Sequence, residues 1–502
     1  MPASQVLIVG AGPTGLVLAL WLARHGVPFR IIDRNGGPGQ ASRAMAVQAR
    51  TLEFYGQLGF ADEVVAAGVK IEAIHLREGG EEAARFSFGD IGEGLSPFPF
   101  VLAYPQDDHE RFLVGKLAAA GVAVEWGVEL RSFTQDGARV RAVLDKAGTE
   151  ETCEAAYLCG CDGAHSTVRR GLELDFPGGS YDQLFYVADV GVAGAPGTDM
   201  FMNLGADAFA LMLPVRSSGA KRIIGIVPGE LAGRADLTFE DVRPGAEALI
   251  GARVEAVNWF STYHVHHRVA ARFRVGRCFI AGDAGHIHSP AGGQGMNTGI
   301  GDAVNLSWKL ADVLGGRADA ALLDTYEAER ITFARTLVAT TDRAFQGMVG
   351  RGRGNQFLRT WLVPHLLPLL TGFSAVRRLM FRTVSQTRIS YHDSALSAGK
   401  AGDVGGGDRL PWVPGAGDDN FAPLRALAWQ VHVYGEARPG LSAAELGLPM
   451  HAYAWNGAAE EAGLGRDAAY LVRPDGYVAL ASPEGDAGAM REFMGKVGLR
   501  LH

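Results

Sequence analysis

The chain has 502 residues, a length that predicts two or three domains because single hydrophobic cores stop growing well below this size. Its apolar fraction of 47% and charged fraction of 20% are typical of a globular protein and exclude a disordered or fibrous chain. The net charge is −8 and the sequence has no basic run or tail, so we expect no nucleic-acid partner.

The N-terminal segment QVLIVGAGPTGLVLALWLARHGVPFRIIDR has the pattern of a dinucleotide-binding unit. A buried strand over Val6–Val9 leads into GAGPTG, then a helix to Arg24, then a second strand that ends at Asp33. In such units the glycines permit a tight turn, approach of a pyrophosphate and close helix packing, while the acid accepts a ribose hydroxyl. The fingerprint leaves NAD and FAD open. The predicted ligand residues are Gly10, Gly12, Pro13, Thr14, Gly15, Asp33 and Arg34.

Two further glycine–acid motifs lie far along the chain. The segment EAAYLCGCDGAHSTVRRGL places Asp162-Gly163 between an apolar stretch and the start of a helix. The segment AGDAGHIHSPAGGQGMNTG follows the apolar stretch Cys278–Ile280. Its glycines predict a strand that ends at Gly282, a loop that another group can approach closely, and a helix from near Gly295.

These three motifs, in this order, resemble those of the group A FAD-dependent aromatic monooxygenases of the p-hydroxybenzoate hydroxylase fold, in the phenol hydroxylase and aromatic polyketide hydroxylase branch. The resemblance extends over almost the whole chain. It implies an α/β protein with a Rossmann-like FAD-binding domain of the glutathione-reductase type, a β-sheet substrate domain and a C-terminal thioredoxin-like domain. The implied boundaries are 1–175 for the first part of the FAD-binding domain with substrate-domain strands near 71–105, 176–267 for the substrate domain, 268–395 for the second FAD-binding part with a helical segment, and 396–502 for a thioredoxin-like domain without cysteine.

The resemblance also implies the activity. The enzyme would bind FAD, consume NADH or NADPH and O₂, and hydroxylate a phenolic or polyketide-like aromatic substrate through a C4a-hydroperoxyflavin. A Baeyer–Villiger or epoxidising monooxygenase of the same fold stays open as an alternative, as does a flavin-bound, non-catalytic binding or resistance protein. The sequence assigns no catalytic residue, and a monomer or a homo-oligomer such as a dimer is expected.

Residues that match the FAD contacts of this family lie in all three regions. Arg43 would neutralise a phosphate, Gln106 would bind the ribityl chain, and the backbone at Leu130 would meet adenine, although Arg43 and Gln106 could instead be a solvated and a capping side chain. Asp283 would accept ribityl hydroxyls, and the positive helix end would face the flavin N1–C2=O locus. The implied set is Arg43, Gln106, Leu130, Asp162, Gly163, Gly282, Asp283, Pro290, Gly293, Gly295, Met296 and Asn297.

The middle of the chain reads as short strands separated by turns, as in YDQLFYVADVGV and KRIIGIVPG. Apolar side chains here could form walls for an aromatic substrate, and core packing is an equally good explanation of them. The candidates are Phe201, Phe209, Leu211, Met212 and Pro214.

Histidines cluster in STYHVHHRVAARF, at His264, His266 and His267. Alternation would place two of these imidazoles on one face of a strand. The sequence has no HExxH or facial-triad pattern, so we expect no metal.

The cysteines and the apolar segments bear on the compartment. The spacing of Cys159 and Cys161 is too tight for a CxxC site, so we expect reduced, buried thiols. The apolar run WLVPHLLPLL is interrupted by two prolines and falls short of the roughly 20 residues that span a bilayer. With no secretory signal read in the sequence, a cytoplasmic protein without a membrane span is expected.

Overall fold

The structure is a computed structural model that describes residues 5–39, 44–78, 81–87, 91–194, 197–204, 209–215, 219–349, 373–415 and 419–500. Arg43 and the apolar run at 361–370 lie outside the described residues.

The strands, numbered in chain order, are β1 (Val6–Val9), β2 (Phe29–Asp33), β3 (Ala46–Val47), β4 (Val69–Lys70), β5 (Ala73–Glu78), β6 (Glu81–Ser87), β7 (Leu102–Ala103), β8 (Glu125–Trp126), β9 (Val128–Gln135), β10 (Val140–Lys146), β11 (Thr149–Ala155), β12 (Tyr157–Gly160), β13 (Gly178–Val192), β14 (Met200–Leu204), β15 (Phe209–Pro214), β16 (Lys221–Ile226), β17 (Val254–Val269), β18 (Arg274–Val275), β19 (Cys278–Ile280), β20 (His286–Ile287), β21 (Ala398–Ala401), β22 (Val404–Gly405), β23 (Gln430–Tyr434), β24 (Met450–Tyr453), β25 (Ala469–Val472) and β26 (Val478–Ser482). The helices are α1 (Pro13–Arg24), α2 (Ala49–Leu58), α3 (Ala61–Ala67), α4 (Gln106–Ala119), α5 (Thr167–Gly171), α6 (Phe239–Ile250), α7 (Gly295–Leu314), α8 (Asp324–Val349), α9 (Ser374–Val384), α10 (Ala443–Leu446), α11 (Gly457–Glu461) and α12 (Ala487–Lys496).

A sheet of order β18-β19-β12-β1-β2-β8 forms the centre of the N-terminal half. Strands β19, β12, β1, β2 and β8 run parallel, and the apolar residues of β1 are buried on both faces, as the continuous apolar run predicts. Each of the three glycine–acid motifs follows one of three neighbouring strands: β1, β12 or β19. Because the carboxyl ends of parallel strands lie at one edge of a sheet, this topology brings the three motifs together.

A second sheet, of order β20-β17-β13-β16-β15-β14-β5-β6, holds the strands expected for a substrate domain. Strands β13 and β17 have 15 and 16 residues, so the expected short strands are longer than predicted, and register shifts interrupt their pairing. Helix α6 covers one face of this sheet. The sequence analysis missed this helix, although a capping box between Thr238 and Asp241 marks its start.

The C-terminal sheet has the order β22-β21-β26-β25-β23-β24, with β23 parallel to β24 and antiparallel to β25. This arrangement, with α12 packed on β26, is that of a thioredoxin-like domain. Near the C-terminus, β25 and β26 form a strand–turn–strand joined by the turn at residues 473–477. Its apolar residues pack on Trp308 of α7, so this domain and the N-terminal half share a core.

A charged pair lies inside the second sheet. Arg222 on β16 is fully buried and binds Asp189 on β13 with two hydrogen bonds, from Nε to Oδ1 at 2.7 Å and from Nη2 to Oδ2 at 2.8 Å. A bidentate geometry of this kind compensates part of the cost of removing two charges from water. Removing one partner leaves the other charge buried.

We therefore expect Asp189→Ala to lower the free energy of unfolding by about 3–5 kcal/mol, because Arg222 loses its carboxylate without gaining solvent. The double replacement Asp189→Leu with Arg222→Met removes both charges and is expected to stay near wild type. Urea denaturation of the three proteins measures this difference. A single variant within about 1 kcal/mol of wild type would show that the pair is not needed for stability.

Candidate functional site

The three motifs meet through main-chain contacts that only glycine permits. A Cβ at Gly10, whose φ is +103°, would lie 2.3 Å from the carbonyl oxygen of Cys161, and one at Gly15 would lie 1.9 Å from the carbonyl oxygen of Gly10. On the other side, Cβ atoms at Gly282 and Gly299 would lie 2.5 and 2.4 Å from the hydroxyl oxygen of Thr14. The strand ends after β1, β12 and β19 and the first turns of α7 therefore form one packed edge, here named the motif edge.

Gly12 differs from these glycines, because a Cβ there would meet nothing within 4 Å. It is the N-cap of α1, where glycine offers no side chain to bind the first N–H groups, and Pro13 follows at the first helical position. The unpaired N–H groups and the positive end of α1 therefore face open space, which is the arrangement that binds phosphate.

Asp33 closes the glycine-rich turn from the neighbouring strand. Its carboxylate accepts hydrogen bonds from the N–H groups of Ala11 and Asn35, both at 2.8 Å. The remaining lone pairs of a carboxylate can accept two further bonds, as a ribose would need. Arg34 follows in an exposed turn.

Asp162 has a structural task at the second motif. Its carboxylate accepts bonds from Ser166 Oγ at 2.5 Å and from the N–H of Thr167 at 2.6 Å, so that it holds the first turn of α5, whose N-cap is Ser166. Burial raises the pKa of this carboxyl group. Gly163 follows with a φ of +75°, which turns the chain away from β12. From α5, Arg169 donates one bond to the carbonyl oxygen of Ala284, at 2.9 Å, and so joins the second motif to the third.

The third motif is anchored by a buried cluster of Asp302, His286 and Arg330, here named the Asp302 cluster. Asp302 accepts the N–H of Gly282 at 2.9 Å, His286 Nε2 at 2.6 Å and Arg330 Nε at 2.6 Å. Burial alone would raise the pKa of Asp302, yet Arg330 and His286 hold it below its usual value. The carboxylate is therefore ionised where it fixes the backbone beside Asp283.

The sequence analysis missed this cluster. A signal was present, because Asp302 lies within residues 299–304 of α7, where its neighbours are apolar or glycine and a buried acid needs a partner. The strand before the motif also ends earlier than expected. It stops at Ile280, and Gly282, with a φ of +61°, begins a 3₁₀ turn over Gly282–Ala284 that leaves Asp283 exposed.

Residues 290–294, here named the glycine-rich loop, and the start of α7 are held from inside by Asn297. Its Oδ1 accepts from the N–H of Gln48 at 2.9 Å and from Thr51 Oγ1 at 2.8 Å, and its Nδ2 donates to the carbonyl oxygens of Ala46 and Gly293. The Asn297 side chain is thus fully used within the protein, so any ligand contact at this position comes from the main chain. Helix α7 begins at Gly295, as predicted.

The remaining loop residues lie around this point. Pro290 is exposed, and a Cβ at Gly293, whose φ is +63°, would lie 2.7 Å from Cβ of Ala46. Gly295 and Met296 form the first turn of α7, whose N–H groups have no partner within the helix.

Two other predicted contacts lie near the edge, with different surroundings. Gln106 begins α4, accepts the N–H of Ala44 at 3.3 Å and donates to Glu110 at 2.8 Å. Leu130 lies within β9 opposite Leu144, and its side chain is buried in the core. The expected ribityl and adenine contacts of Gln106 and Leu130 stay predictions.

Strand alternation divides the candidate substrate walls. Phe201 and Met212 lie opposite each other on β14 and β15 and are buried in the cluster that includes Phe239 of α6. These two face away from the motif edge. Leu211 instead packs with Met45, next to the glycine-rich loop. The half-buried residues on this second face are Met202, Leu211, Ile224 and Ile226.

The histidine cluster lies on β17, where His266 Nδ1 shares a 2.6 Å hydrogen bond with Ser180 Oγ. Burial is the first of the effects that lower the pKa of His266. Within the described residues, no group of three or more histidine, cysteine or acidic side chains is arranged to hold a metal ion. Nor does any helix in the described ranges have the length and apolar character needed to cross a membrane.

A family model described as an FAD binding domain matches residues 3–341. This chain belongs to that family. The 6-methylpretetramide 4-monooxygenase of Streptomyces rimosus is 40% identical over 422 residues, covering 80% of this chain and 72% of the relative. A solved ternary complex of aklavinone-11 hydroxylase with FAD and aklavinone has a TM-score of 0.81 at 28% identity and covers 99% of both chains. Dialkyldecalin synthase of Streptomyces rugosporus is 30% identical over 95% of this chain and 96% of its own.

The chain is therefore an FAD-dependent, NAD(P)H-consuming aromatic monooxygenase with the p-hydroxybenzoate hydroxylase fold, and the fold class, cofactor and enzyme class predicted from the sequence are confirmed. The motif edge fits FAD, since it offers an open N-terminus of α1 at Gly12 for a pyrophosphate, carboxylates at Asp33 and Asp283 for hydroxyl groups, and bare main chain at α7 for the ring. When bound, FAD supplies electron transfer from the nicotinamide donor and oxygen activation.

Substitutions at two glycines separate an effect on FAD binding from an effect on folding. We expect Gly12→Ala to change the stability of the apoprotein by no more than about 1 kcal/mol, because its Cβ meets open space, and to weaken FAD binding at least tenfold. Gly15→Ala should instead destabilise the apoprotein by more than about 2 kcal/mol, because its Cβ overlaps the Gly10 carbonyl.

Thermal denaturation of apoprotein and fluorescence titration with FAD separate the two effects. If Gly12→Ala binds FAD with wild-type affinity, the pyrophosphate binds elsewhere on the protein.

Proposed function

We propose that this monooxygenase hydroxylates a phenolic ring of a multi-ring aromatic polyketide. The observation that carries the proposal is the apolar face of the second sheet that packs next to the glycine-rich loop. Met202, Leu211, Ile224 and Ile226 are apolar and only half-buried on this face, and Leu211 and Ile224 pack on the cluster that includes Met45. Partly exposed apolar surface of this extent favours a large, flat apolar ligand.

The relatives support the same class. The 6-methylpretetramide monooxygenase and the aklavinone hydroxylase are named for polyketide substrates, and both match this chain over most of its length. The overall reaction would consume one aromatic substrate, one O₂, one NAD(P)H and one proton. It would release the hydroxylated product, NAD(P)⁺ and one water, so that one oxygen atom enters the ring and the other is reduced.

We assign the chain's own groups three tasks in this reaction. The open end of α1 and Asp33 would hold the adenosine diphosphate half of FAD, and Asp283 would hold the ribityl chain. The first turn of α7 would place positive potential at the pyrimidine edge of the flavin, where negative charge develops on reduction. The apolar sheet face would exclude water and hold the ring to be oxygenated in a fixed orientation.

Isotope labelling tests the reaction. With ¹⁸O₂, a tetracyclic polyketide phenol and NADPH or NADH, we expect product heavier by one ¹⁸O atom and nucleotide oxidation that the substrate accelerates at least tenfold. A monocyclic phenol is the matched control, and it should stimulate oxidation less because it covers less of the apolar face. The measurements are product mass and absorbance at 340 nm.

A different outcome would favour another function. The similarity to dialkyldecalin synthase, over 95% of this chain, makes a non-oxygenating use of the same fold the second candidate. An altered product without ¹⁸O, or tight ligand binding without NAD(P)H oxidation, would contradict the proposed hydroxylation and support that candidate. An ester oxygen inserted into a carbon skeleton would instead indicate Baeyer–Villiger chemistry.

The role of Asp283 has its own test. We expect Asp283→Ala to bind FAD at least tenfold more weakly and to purify largely without the 450 nm absorbance, because a charge-assisted acceptor for ribityl hydroxyls is lost. Asp393→Ala removes another exposed carboxylate and serves as the control. Full flavin occupancy in Asp283→Ala would contradict the assigned contact.

We also propose a cytoplasmic location and a monomer or homodimer. The four cysteines are free and buried, which is compatible with a reducing compartment. Size-exclusion chromatography with light scattering measures the oligomeric state.

A further inference from the structure

We propose that the thioredoxin-like domain is a positioning element for the flavin site, and that Arg473 and Arg409 are its positioning residues. Helix α7 begins directly after the glycine-rich loop, and the start of α2 is hydrogen-bonded to the same loop. Both helices are bound further along their length by buried charged groups of this domain. The inference rests on the location proposed above for the flavin ring, at the first turn of α7.

At the loop, the two helices are joined to each other. Asn297 in the first turn of α7 accepts bonds from the Gln48 N–H and the Thr51 hydroxyl, at the start of α2. Gln48 Nε2 donates to the carbonyl oxygen of Gly292 at 3.0 Å. A change in the relative position of α2 and α7 therefore moves the glycine-rich loop as well.

Arg473, at the end of β25, connects the thioredoxin-like domain to α7 and α8. It donates to both carboxylate oxygens of Glu329, at 2.8 and 3.0 Å, and to both oxygens of Asp475, at 3.0 and 2.7 Å. On α7, Asn305 and Lys309 donate to Glu329 at 2.6 and 2.8 Å.

Asp475 makes a direct contact with α7 as well. It accepts Trp308 Nε1 at 3.0 Å, and Trp308 packs edge-on against Trp429 of the same domain, with ring centroids 5.5 Å apart. Trp308 lies about 20 Å along the helix from Gly295, at roughly 1.5 Å per residue. A rigid α7 transmits a displacement at this contact to its first turn.

Arg409 makes the corresponding connection to α2. It donates to both carboxylate oxygens of Glu53, at 2.9 and 2.5 Å, and it is joined there by Arg50, which binds Glu53 at 2.8 Å. The turn after β25 also contacts α2, because the carbonyl oxygen of Asp475 accepts from Arg50 at 2.6 Å and that of Pro474 accepts from Gln57 at 3.2 Å.

Burial makes these charged contacts costly to break. The side chains of Lys309, Glu329 and Arg473 are all 0% exposed. Burial lowers the pKa of Lys309 to about 8, while Arg473 and Lys309 hold the pKa of Glu329 below its usual value against the effect of burial. A buried charge that loses its partner is costly, so the helices cannot slide against this domain without breaking compensated pairs.

The test compares FAD binding in full-length variants. In Arg409→Met, Glu53 keeps Arg50 and Ser96 as partners, so folding is retained while the connection to the domain is removed. We expect at least tenfold weaker FAD binding and a more negative flavin midpoint potential. The reason is that a shift of α2 moves the glycine-rich loop, and with it the first turn of α7, away from the reduced ring. A tenfold larger loss for reduced than for oxidised FAD shifts the potential by about 30 mV.

Conservative and distant substitutions are the controls. Arg409→Lys and Arg473→Lys keep the charge, and both should bind FAD with most of the wild-type affinity. Arg491→Met removes a half-exposed ion pair with Glu445 on the same domain, away from α2 and α7, and should leave binding and potential unchanged. The readouts are FAD fluorescence titration, the visible absorption spectrum and spectroelectrochemistry.

The outcomes separate the two proposals. If Arg409→Met lowers the melting temperature but keeps the wild-type FAD affinity, spectrum and potential, the domain is only a structural addition and the inference is overturned. If wild-type protein itself fails to bind FAD, the flavin site is wrong irrespective of the variants. Loss of affinity in Arg491→Met equal to that in Arg409→Met would also overturn it.

Discussion

The structure depends on close contacts to the main chain of glycines, which join three segments that are far apart in the sequence. The Thr14 hydroxyl oxygen occupies the space that side chains at Gly282 and Gly299 would need, and the carbonyl oxygen of Cys161 occupies that of Gly10. Such contacts leave no volume for repacking, so the strand ends, the start of α1 and the first turns of α7 have fixed relative positions. A dinucleotide bound along this edge would touch preformed backbone donors, which cost little entropy to order.

The sequence predicts this edge well because each motif directly follows a short apolar strand. Parallel strands that are neighbours in the sheet must present their carboxyl ends together, so local patterns around Gly10, Asp162 and Gly282 are enough to infer a common site. The thioredoxin-like domain was expected from the resemblance to a known family and not from any local pattern. Individual ligand contacts, such as those of Gln106 and Leu130, were not derivable from pattern alone and stay predictions.

The parts that escaped prediction are those in which polar groups pair over long separations. His286 and Arg330 lie 16 and 28 residues from Asp302, and Glu53 lies 356 residues from Arg409. No periodicity or propensity relates such residues, and a charge among apolar neighbours says only that a partner exists. The candidate substrate walls on the second sheet were predictable only in part, because the strand period assigns side chains to two faces without saying which face meets the ligand.

The four buried thiols have a consequence for an enzyme that handles oxygen and reduced flavin. Burial raises the pKa of Cys153, Cys159, Cys161 and Cys278. Peroxide oxidises the thiolate far faster than the thiol, so hydrogen peroxide released by unproductive turnover would meet almost no cysteine thiolate in this chain. The thiols near the nucleotide edge are in this way protected from the by-products that can form beside them.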